Sequence, residues 1–269
     1  MPAKEAKIAS ITPAYSRAAI RHLNRADPVL ARIIKQVGPF SIRASRRRFQ
    51  ALARAIIFQQ LAGSAATAIY MRFVGLFPGR SFPTPAQVLA LSDEQLRQAG
   101  LSRQKSIYLR DLATHVSNKS LNFHRFAAMS DDEIVTDLIR VKGIGRWTAE
   151  MFLMFNLRRP DILPVDDLGF RSAVAKAYGL PELPTAKELR LMGERWRPYR
   201  SAAVWYFWQS TRLVTMDAPA KKIRKAGSSK PEARGSGNKH PIKVVPAKRD
   251  VRPERRSAPR ARGTSTTRI

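Results

Sequence analysis

Apolar residues recur at intervals of three and four along most of the first 215 residues, which is the spacing of one buried helix face. The pattern is clearest in segments 49–63, 133–141 and 202–214. No segment shows the sustained alternation of apolar and polar residues that predicts a half-buried strand. The sequence therefore predicts an all-α fold of roughly ten short helices.

Several predicted helices begin with residues that can satisfy the free amide groups of a first turn. Ser92–Gln95, Ser130–Glu133 and Thr185–Glu188 have the spacing of a capping box, in which each side chain bonds to the other residue's backbone amide. Asp27 and Thr84 are each followed by proline, which is favoured at the first helical position. These signals predict where the helices start.

The composition changes sharply near Met216. Residues 216–269 hold 16 Lys+Arg and 4 Asp+Glu, with no aromatic residue and many Pro, Gly, Ser and Ala. Such a segment cannot bury enough apolar surface to offset its conformational entropy. We therefore predict a folded part over residues 1–215 and a disordered basic tail over residues 216–269.

The net charge of the chain is +29, and that of residues 1–215 alone is +17. A surplus of this size predicts a polyanionic partner, with nucleic acid as the first choice and an acidic membrane surface as the second. There is no cysteine, which excludes disulfides, thiolate zinc sites and iron–sulfur clusters. No signal peptide or membrane-crossing apolar run is evident, so we expect a soluble cytoplasmic protein without a membrane partner.

The histidines have no metal-ligand spacing, and we therefore expect no catalytic metal. They are His22, His115, His124 and His240.

Two glycines interrupt the helical pattern between predicted helices over residues 131–140 and 145–155. The amides that open the second helix have no partner within it, and they carry the positive end of the helix dipole. This arrangement predicts a phosphate-binding turn, and the alternative is a plain glycine turn between two helices. The predicted site, with a basic side chain at each end, consists of Lys142, Gly143, Ile144, Gly145 and Arg146.

Several blocks of the chain resemble, in the same order, the helix-hairpin-helix (HhH-GPD) superfamily of DNA glycosylases. The hairpin at 138–155 is similar to that of the family, and segment 158–179 resembles the Gly/Pro-rich loop with the catalytic aspartate, here Asp167. The likeness covers about residues 22–213, and the nearest branch is 3-methyladenine DNA glycosylase II. Three further blocks similar to the family are 54–69, 99–113 and 196–208.

The resemblance implies hydrolysis of the bond between a damaged base and its deoxyribose. Asp167 would stabilise the positive charge that develops on the sugar, or direct a water molecule to it. From the residues alone, an aspartate just before a predicted helix is equally well explained as an N-cap. Both interpretations stay open for the pair, with Asp166 as the cap and Asp167 as the reacting group.

Trp147 occupies the position at which bifunctional members of the resembled family carry a lysine that forms a Schiff base with the sugar. The sequence therefore predicts a monofunctional glycosylase that uses water. An electron-rich indole attracts a cationic alkylated purine such as 3-methyladenine, and the resemblance puts Trp147 and Trp208 in the base pocket. For each tryptophan, the alternative is an ordinary place in the helix core.

Four consecutive aromatics, residues 205–208, point in different directions around a helix and cannot all line one pocket. Met151 and Leu168 stand where members of the family carry aromatics. These departures leave the preferred base open.

A wedge side chain fills the gap that a flipped base leaves in a duplex, and the resemblance points to Gln60 or Leu61. The alternative is a mid-helix position without such a role. Arg103 and Lys105 either contact phosphate or form a solvated helix face. The family hairpin can also hold a sodium or potassium ion through main-chain carbonyls, which here belong to Ile139, Val141 and Ile144.

We expect two helical lobes with a DNA-facing cleft between them. Residues 45–155 form the central lobe with the hairpin, and residues 12–44 plus 156–215 form the second. The implied function is excision of alkylated purines from double-stranded DNA in base excision repair, by a monomer associated with the nucleoid. The alternatives are a non-catalytic helix-hairpin-helix DNA-binding protein, a glycosylase/lyase for oxidised bases, and a membrane-surface protein.

Overall fold

The computed structural model describes residues 12–40, 42 and 47–217, with only the backbone described for residue 80 and residues 212–217. In this part of the chain the backbone forms twelve α-helices and no strand, which confirms the all-α prediction. The helices are α1 (Pro13–Ala26), α2 (Pro28–Val37), α3 (Arg48–Phe58), α4 (Gly63–Gly75), α5 (Pro85–Ala90), α6 (Asp93–Gln98), α7 (Arg103–Ser117), α8 (Asp131–Ile139), α9 (Arg146–Phe152), α10 (Leu168–Tyr178), α11 (Ala186–Glu194) and α12 (Arg200–Asp217).

Shorter helical segments complete the described backbone. Single 3₁₀ turns lie at Pro78–Arg80 and Arg125–Ala127, and a π-helical stretch, Leu153–Leu157, continues α9 without a break. The predicted basic tail, residues 216–269, lies outside the described residues except for its first two, which form the end of α12.

The predicted helix starts are confirmed. The capping boxes at Ser92, Ser130 and Thr185 form both of their hydrogen bonds. Thr84, which the sequence marked only through its following proline, begins a fourth box with Gln87. Because these side chains satisfy first-turn amides, even six-residue helices such as α5 and α6 begin at defined residues.

The helices pack in two groups. In one group, α3 contacts α4, α7 and α9, while α7 also contacts α5 and α6, and α8 packs on α9. In the other group, α12 contacts α1, α2 and α10, and α1 contacts α2. The chain therefore passes between the groups twice, once before α3 and once between α9 and α10.

The segment between α9 and α10 is held on both sides by arginine side chains. Arg159 is buried, donates a hydrogen bond of 2.9 Å to the carbonyl of Met129, and lies 3.3 Å from a carboxylate oxygen of Asp131. Arg200 of α12 makes a two-pronged contact with Asp161, with N···O distances of 2.8 and 2.9 Å. These ion pairs determine the path by which the chain enters α10.

Asp27 connects the N-terminal helices to the C-terminal ones. Its side chain is fully buried and caps α2 by accepting hydrogen bonds from the amides of Val29 and Leu30. Its other oxygen accepts from the Tyr178 hydroxyl and, at 2.8 Å, from the Trp196 indole nitrogen. Burial, together with this hydrogen bond, raises the pKa of Tyr178 well above its ordinary value.

We expect Asp27→Ala to lower the free energy of unfolding by about 3 kcal/mol, because it removes a cap and leaves the buried donors of Tyr178 and Trp196 unpaired. Denaturant unfolding measures this loss. Thr12→Ala is the matched control, since Thr12 caps α1 through a single bond to the Tyr15 amide and should cost only about 1 kcal/mol. Equal losses in the two variants would refute the connecting role of Asp27.

Candidate active site

Asp167 is the N-cap of α10. Its backbone is extended (φ −71°, ψ 113°), and its Oδ1 atom accepts a hydrogen bond from the amide of Phe170. Asp166 is exposed and does not cap the helix. The proposed division of tasks between these aspartates is therefore wrong, because a single side chain, that of Asp167, both caps the helix and faces the two tryptophans described next.

Two indole N–H groups converge on the Asp167 carboxylate. Trp147, in the first turn of α9, donates to Oδ2 at 2.6 Å. Trp208, in the middle of α12, donates to Oδ1 at 3.1 Å. The structure thus brings together three residues that the sequence singled out separately, and it does so through polar contacts that the sequence did not predict.

A cavity of about 780 Å³ lies beside Trp147. Trp147 is 50% exposed and forms part of its wall. Trp208 is not part of the wall but stacks on Phe155, which is, with ring centroids 5.9 Å apart and planes inclined by 24°. The other lining residues include Phe58, Phe152, Met151, Thr148, Asn156, Gln50, Gln59, Gln60, Arg47 and Arg54.

The four consecutive aromatics of α12 point in different directions, as predicted. Tyr206 and Phe207 are fully buried, and the Tyr206 hydroxyl donates to the carbonyl of Gly38 at 2.9 Å. Of the two departures from the family pattern, Met151 lines the cavity, whereas Leu168 is 64% exposed. Only part of the aromatic segment 205–208 therefore contributes to the site, since Tyr206 and Phe207 belong to the core.

The two hairpin glycines are in different situations. Gly143 has φ +82°, and a Cβ atom there would lie 2.2 Å from the Tyr108 ring. Gly145 has an ordinary φ of −88°, and a Cβ atom there would meet open space. The fold itself therefore requires glycine at 143, while no described neighbour requires it at 145.

Both basic residues of the hairpin are exposed but lie near acidic partners. The Lys142 ammonium is 3.9 Å from Asp111, which also accepts from the Lys142 backbone amide at 2.8 Å. The Arg146 guanidinium is 3.1 Å from Glu150 and 4.0 Å from Asp132. Part of their positive charge is thus balanced within the protein.

Glu150 is a buried carboxylate, with a side chain only 8% exposed. Burial raises its pKa, while the nearby Arg146 has the opposite, smaller effect. The ion pair between Arg146 and Glu150 therefore stabilises the beginning of α9, where Trp147 lies.

Gln60 and Leu61 lie in the turn between α3 and α4, because α3 ends at Phe58. The mid-helix alternative is wrong for both residues. Gln60 is exposed and has φ +55°, which is uncommon for a residue with a side chain, and Leu61 is 38% exposed. The turn presents both side chains outward.

Two further residues hold this turn, and one of them, Gln59, connects it to the hairpin. The Lys105 ammonium donates to the carbonyls of Ile57 and Gln59, at 2.6 and 2.8 Å, and burial lowers its pKa. The Gln59 amide donates to the Gly143 carbonyl at 2.7 Å. Lys105 is therefore not part of a purely solvated face, whereas Arg103 is exposed. A phosphate contact by either residue stays a prediction.

The hairpin and the α3–α4 turn enclose a second cavity of about 600 Å³, lined by residues that include Gln60, Lys105, Tyr108 and Gly145. In the hairpin, the Val141 carbonyl accepts from the Ile144 amide at 3.0 Å, and Ile144 is buried. Within residues 12–40, 42 and 47–217, no cluster of three or more metal-ligating side chains is found. None of the described helices is long and apolar enough to cross a membrane.

Residues 53–198 match the sequence profile described as HhH-GPD superfamily base excision DNA repair protein. The chain belongs to this superfamily. DNA-3-methyladenine glycosylase 1 of Schizosaccharomyces pombe is 33% identical to this HhH-GPD protein over 222 residues, which make up 81% of this chain and 95% of the relative.

Two solved structures are similar to this HhH-GPD protein. The S. pombe 3-methyladenine DNA glycosylase Mag1, in complex with abasic DNA, is 34% identical, with a TM-score of 0.64 over 73% of this chain and 97% of that one. A DNA-3-methyladenine glycosidase from Bacillus halodurans is 33% identical, with a TM-score of 0.68 over 78% of this chain and 94% of that one. The all-α HhH-GPD fold is thus shared along nearly the full length of both structures.

Alanine at the two hairpin glycines should have unequal effects on stability. We expect Gly143→Ala to lower the melting temperature clearly, because the new methyl group overlaps the Tyr108 ring and the backbone has positive φ. Gly145→Ala should leave the melting temperature near that of the wild type. Calorimetry on the two variants tests this, and a marked loss in Gly145→Ala would contradict the described geometry.

The raised pKa of Glu150 predicts a pH-dependent stability. The folded state holds this proton more tightly than the unfolded chain, so the wild type should lose stability relative to Glu150→Gln as the pH rises from the ordinary value of 4.5 through the raised pKa. Denaturant unfolding at several pH values measures the difference. Asp132→Asn, which removes a carboxylate that is 93% exposed beside Arg146, is the control and should keep the wild-type trend.

Proposed function

We propose that this protein is a monofunctional DNA glycosylase that removes cationic alkylated purines such as 3-methyladenine from duplex DNA. The observation that carries the proposal is the Asp167 carboxylate, which is held by indole N–H groups next to an aromatic cavity. The names of the relatives support it, since they are described as 3-methyladenine glycosylases. The Mag1 complex contains abasic DNA, which is the kind of product that base removal leaves.

The proposed reaction breaks the C1′–N bond of a flipped nucleotide. The bonding electrons leave with the base, and the sugar develops positive charge that the carboxylate of Asp167 stabilises. A water molecule then adds to C1′ and releases one proton to the solvent, which leaves an abasic site and the free base. Because an alkylated purine already carries positive charge, it leaves as a neutral base without needing a strong general acid.

The cavity suits a flat, electron-poor ligand. The exposed ring of Trp147 and the ring of Phe155 both line it, and aromatic faces attract cations. Its volume of about 780 Å³ is within the range that accommodates small ligands. We infer that Trp147 contacts the base, while Trp208 supports the site from behind Phe155.

The absence of a suitable amine supports hydrolysis without a lyase step. A lyase needs a lysine that attacks the sugar, and the residues that line the aromatic cavity include none. Lys105 is engaged by two carbonyls, and Lys142 lies beside Asp111. Borohydride should therefore trap no covalent complex between this protein and DNA.

DNA contact is proposed for the hairpin and the α3–α4 turn. Gly145 leaves open space in front of the amides that begin α9, which allows a phosphate to approach closely. Gln60 and Leu61 project from the neighbouring turn, where either can serve as the wedge. A monovalent cation bound by main-chain carbonyls of Ile139, Val141 and Ile144 would add positive charge at the same hairpin.

The proposed arrangement in solution is a monomer with a cleft between residues 45–155 and the lobe formed by 12–44 and 156–215. Such a monomer would act on nucleoid DNA in the cytoplasm. The basic residues 216–269 would add phosphate contacts and hence salt-dependent affinity.

Base release from methylated duplex DNA tests the proposed chemistry. Asp167→Asn should lower the single-turnover rate by at least about 100-fold, because it removes the charge that stabilises the sugar cation. Binding to the same DNA should persist. Asp166→Asn, one residue away and exposed, is the matched control and should retain wild-type release. DNA binding without release by the wild type would favour the non-catalytic alternative.

Gly145→Ala tests the proposed hairpin contact separately. Its added methyl group should weaken binding to undamaged duplex DNA by roughly tenfold, because it keeps a phosphate from the helix amides. Fluorescence anisotropy at fixed salt measures the affinity. Unchanged affinity in a variant of normal stability would eliminate this contact.

A further inference from the structure

The Asp167 carboxylate has a defined pattern of occupied and free acceptor positions. A carboxylate offers about four lone-pair positions, two on each oxygen. Oδ1 accepts from the Phe170 amide and from the Trp208 indole, whereas Oδ2 accepts from the Trp147 indole. Among the described residues, the vacant acceptor position is thus on Oδ2.

We propose that Trp147 and Trp208 are positioning residues, which act through their indole N–H groups to orient Asp167 so that Oδ2 faces the sugar. This role differs from stacking on the base, for which only the ring face matters. The positioning role rests on the proposed glycosylase function, and it identifies Oδ2 as the atom that stabilises the developing positive charge.

The three donors belong to different helices, and together they fix the orientation of the carboxylate. Phe170 is in α10, Trp147 in α9 and Trp208 in α12. Rotation of the carboxylate about its Cβ–Cγ bond would break contacts to at least two of these helices. The carboxylate is therefore already oriented before any DNA is bound, and no reorientation is needed during the reaction.

The side chains of the two tryptophans are packed to different degrees. Trp208 stacks on Phe155, and its chain neighbour Phe207 is fully buried, so its indole has little freedom. Trp147 is half exposed and lines the cavity, so its ring face and its N–H group serve different partners at once. Replacement by phenylalanine removes the N–H donor of either residue while retaining an aromatic face.

Indole ¹H–¹⁵N NMR of the protein without DNA tests the contacts directly. The chain has four tryptophans, and Trp196 provides an internal reference because its indole donates to another carboxylate, that of Asp27. In Asp167→Asn, the indole protons of Trp147 and Trp208 should move upfield while that of Trp196 stays in place. Asp166→Asn should move none of them. Unmoved signals for both Trp147 and Trp208 would overturn the proposal, whether or not the protein releases bases.

Single-turnover base release tests the consequence. Trp147→Phe and Trp208→Phe should each lower the rate roughly tenfold, the size expected for one hydrogen bond to a charged group, with unchanged affinity for duplex DNA containing an abasic-site analogue. Trp205→Phe is the control, since Trp205 packs against Phe40 and Tyr206 away from Asp167.

The outcomes separate the two levels of inference. An unchanged rate in both phenylalanine variants would show that the indole N–H groups do not assist the reaction, which would overturn the positioning role while leaving the glycosylase intact. No base release by the wild type, together with the expected NMR shifts, would instead refute the glycosylase and leave the orientation of Asp167 as a property of the fold.

Discussion

The carboxylate of Asp167 is the point at which α9, α10 and α12 meet. An N-cap uses one acceptor position of a carboxylate, and the indoles of Trp147 and Trp208 use two more. The geometry of the site therefore follows from ordinary helix capping, since the cap fixes where the carboxylate stands relative to the backbone of α10. The tryptophans of α9 and α12 then donate to the positions of the carboxylate that the cap leaves free.

The surrounding ion pairs maintain this meeting point. Asp161 and Arg159 precede Asp167 by a few residues, and each is paired with an oppositely charged side chain from a neighbouring part of the fold. Breaking one of them would leave a charge poorly compensated in a partly buried place, which is strongly unfavourable. The irregular loop that precedes Asp167 is thus held in place by specific ion pairs.

The sequence predicted the structure best where an interaction joins residues that are close together in the chain. Capping boxes depend on residues three positions apart, and all three that were predicted are present. The turn between α8 and α9 was also predicted, from glycine chemistry, and the resemblance singled out Asp167. By contrast, the roles of Gln59, Lys105 and Tyr108 depend on residues far away in the chain, for which periodicity carries no information. The same reason explains the unforeseen contact of Lys142 with Asp111. The wrong choice of Asp166 as the cap has a local cause, since two adjacent aspartates are equally good caps by residue type.

The short separation between Gly145 and Trp147 has a consequence for how damage is located. Only one residue lies between the amides proposed to contact a phosphate and the indole that touches Asp167. In the proposed complex, the beginning of α9 would therefore span less than one helical turn between the strand backbone and the Asp167 carboxylate. In that complex, the hairpin would determine which nucleotide of the strand lies at Asp167, as well as adding to the affinity.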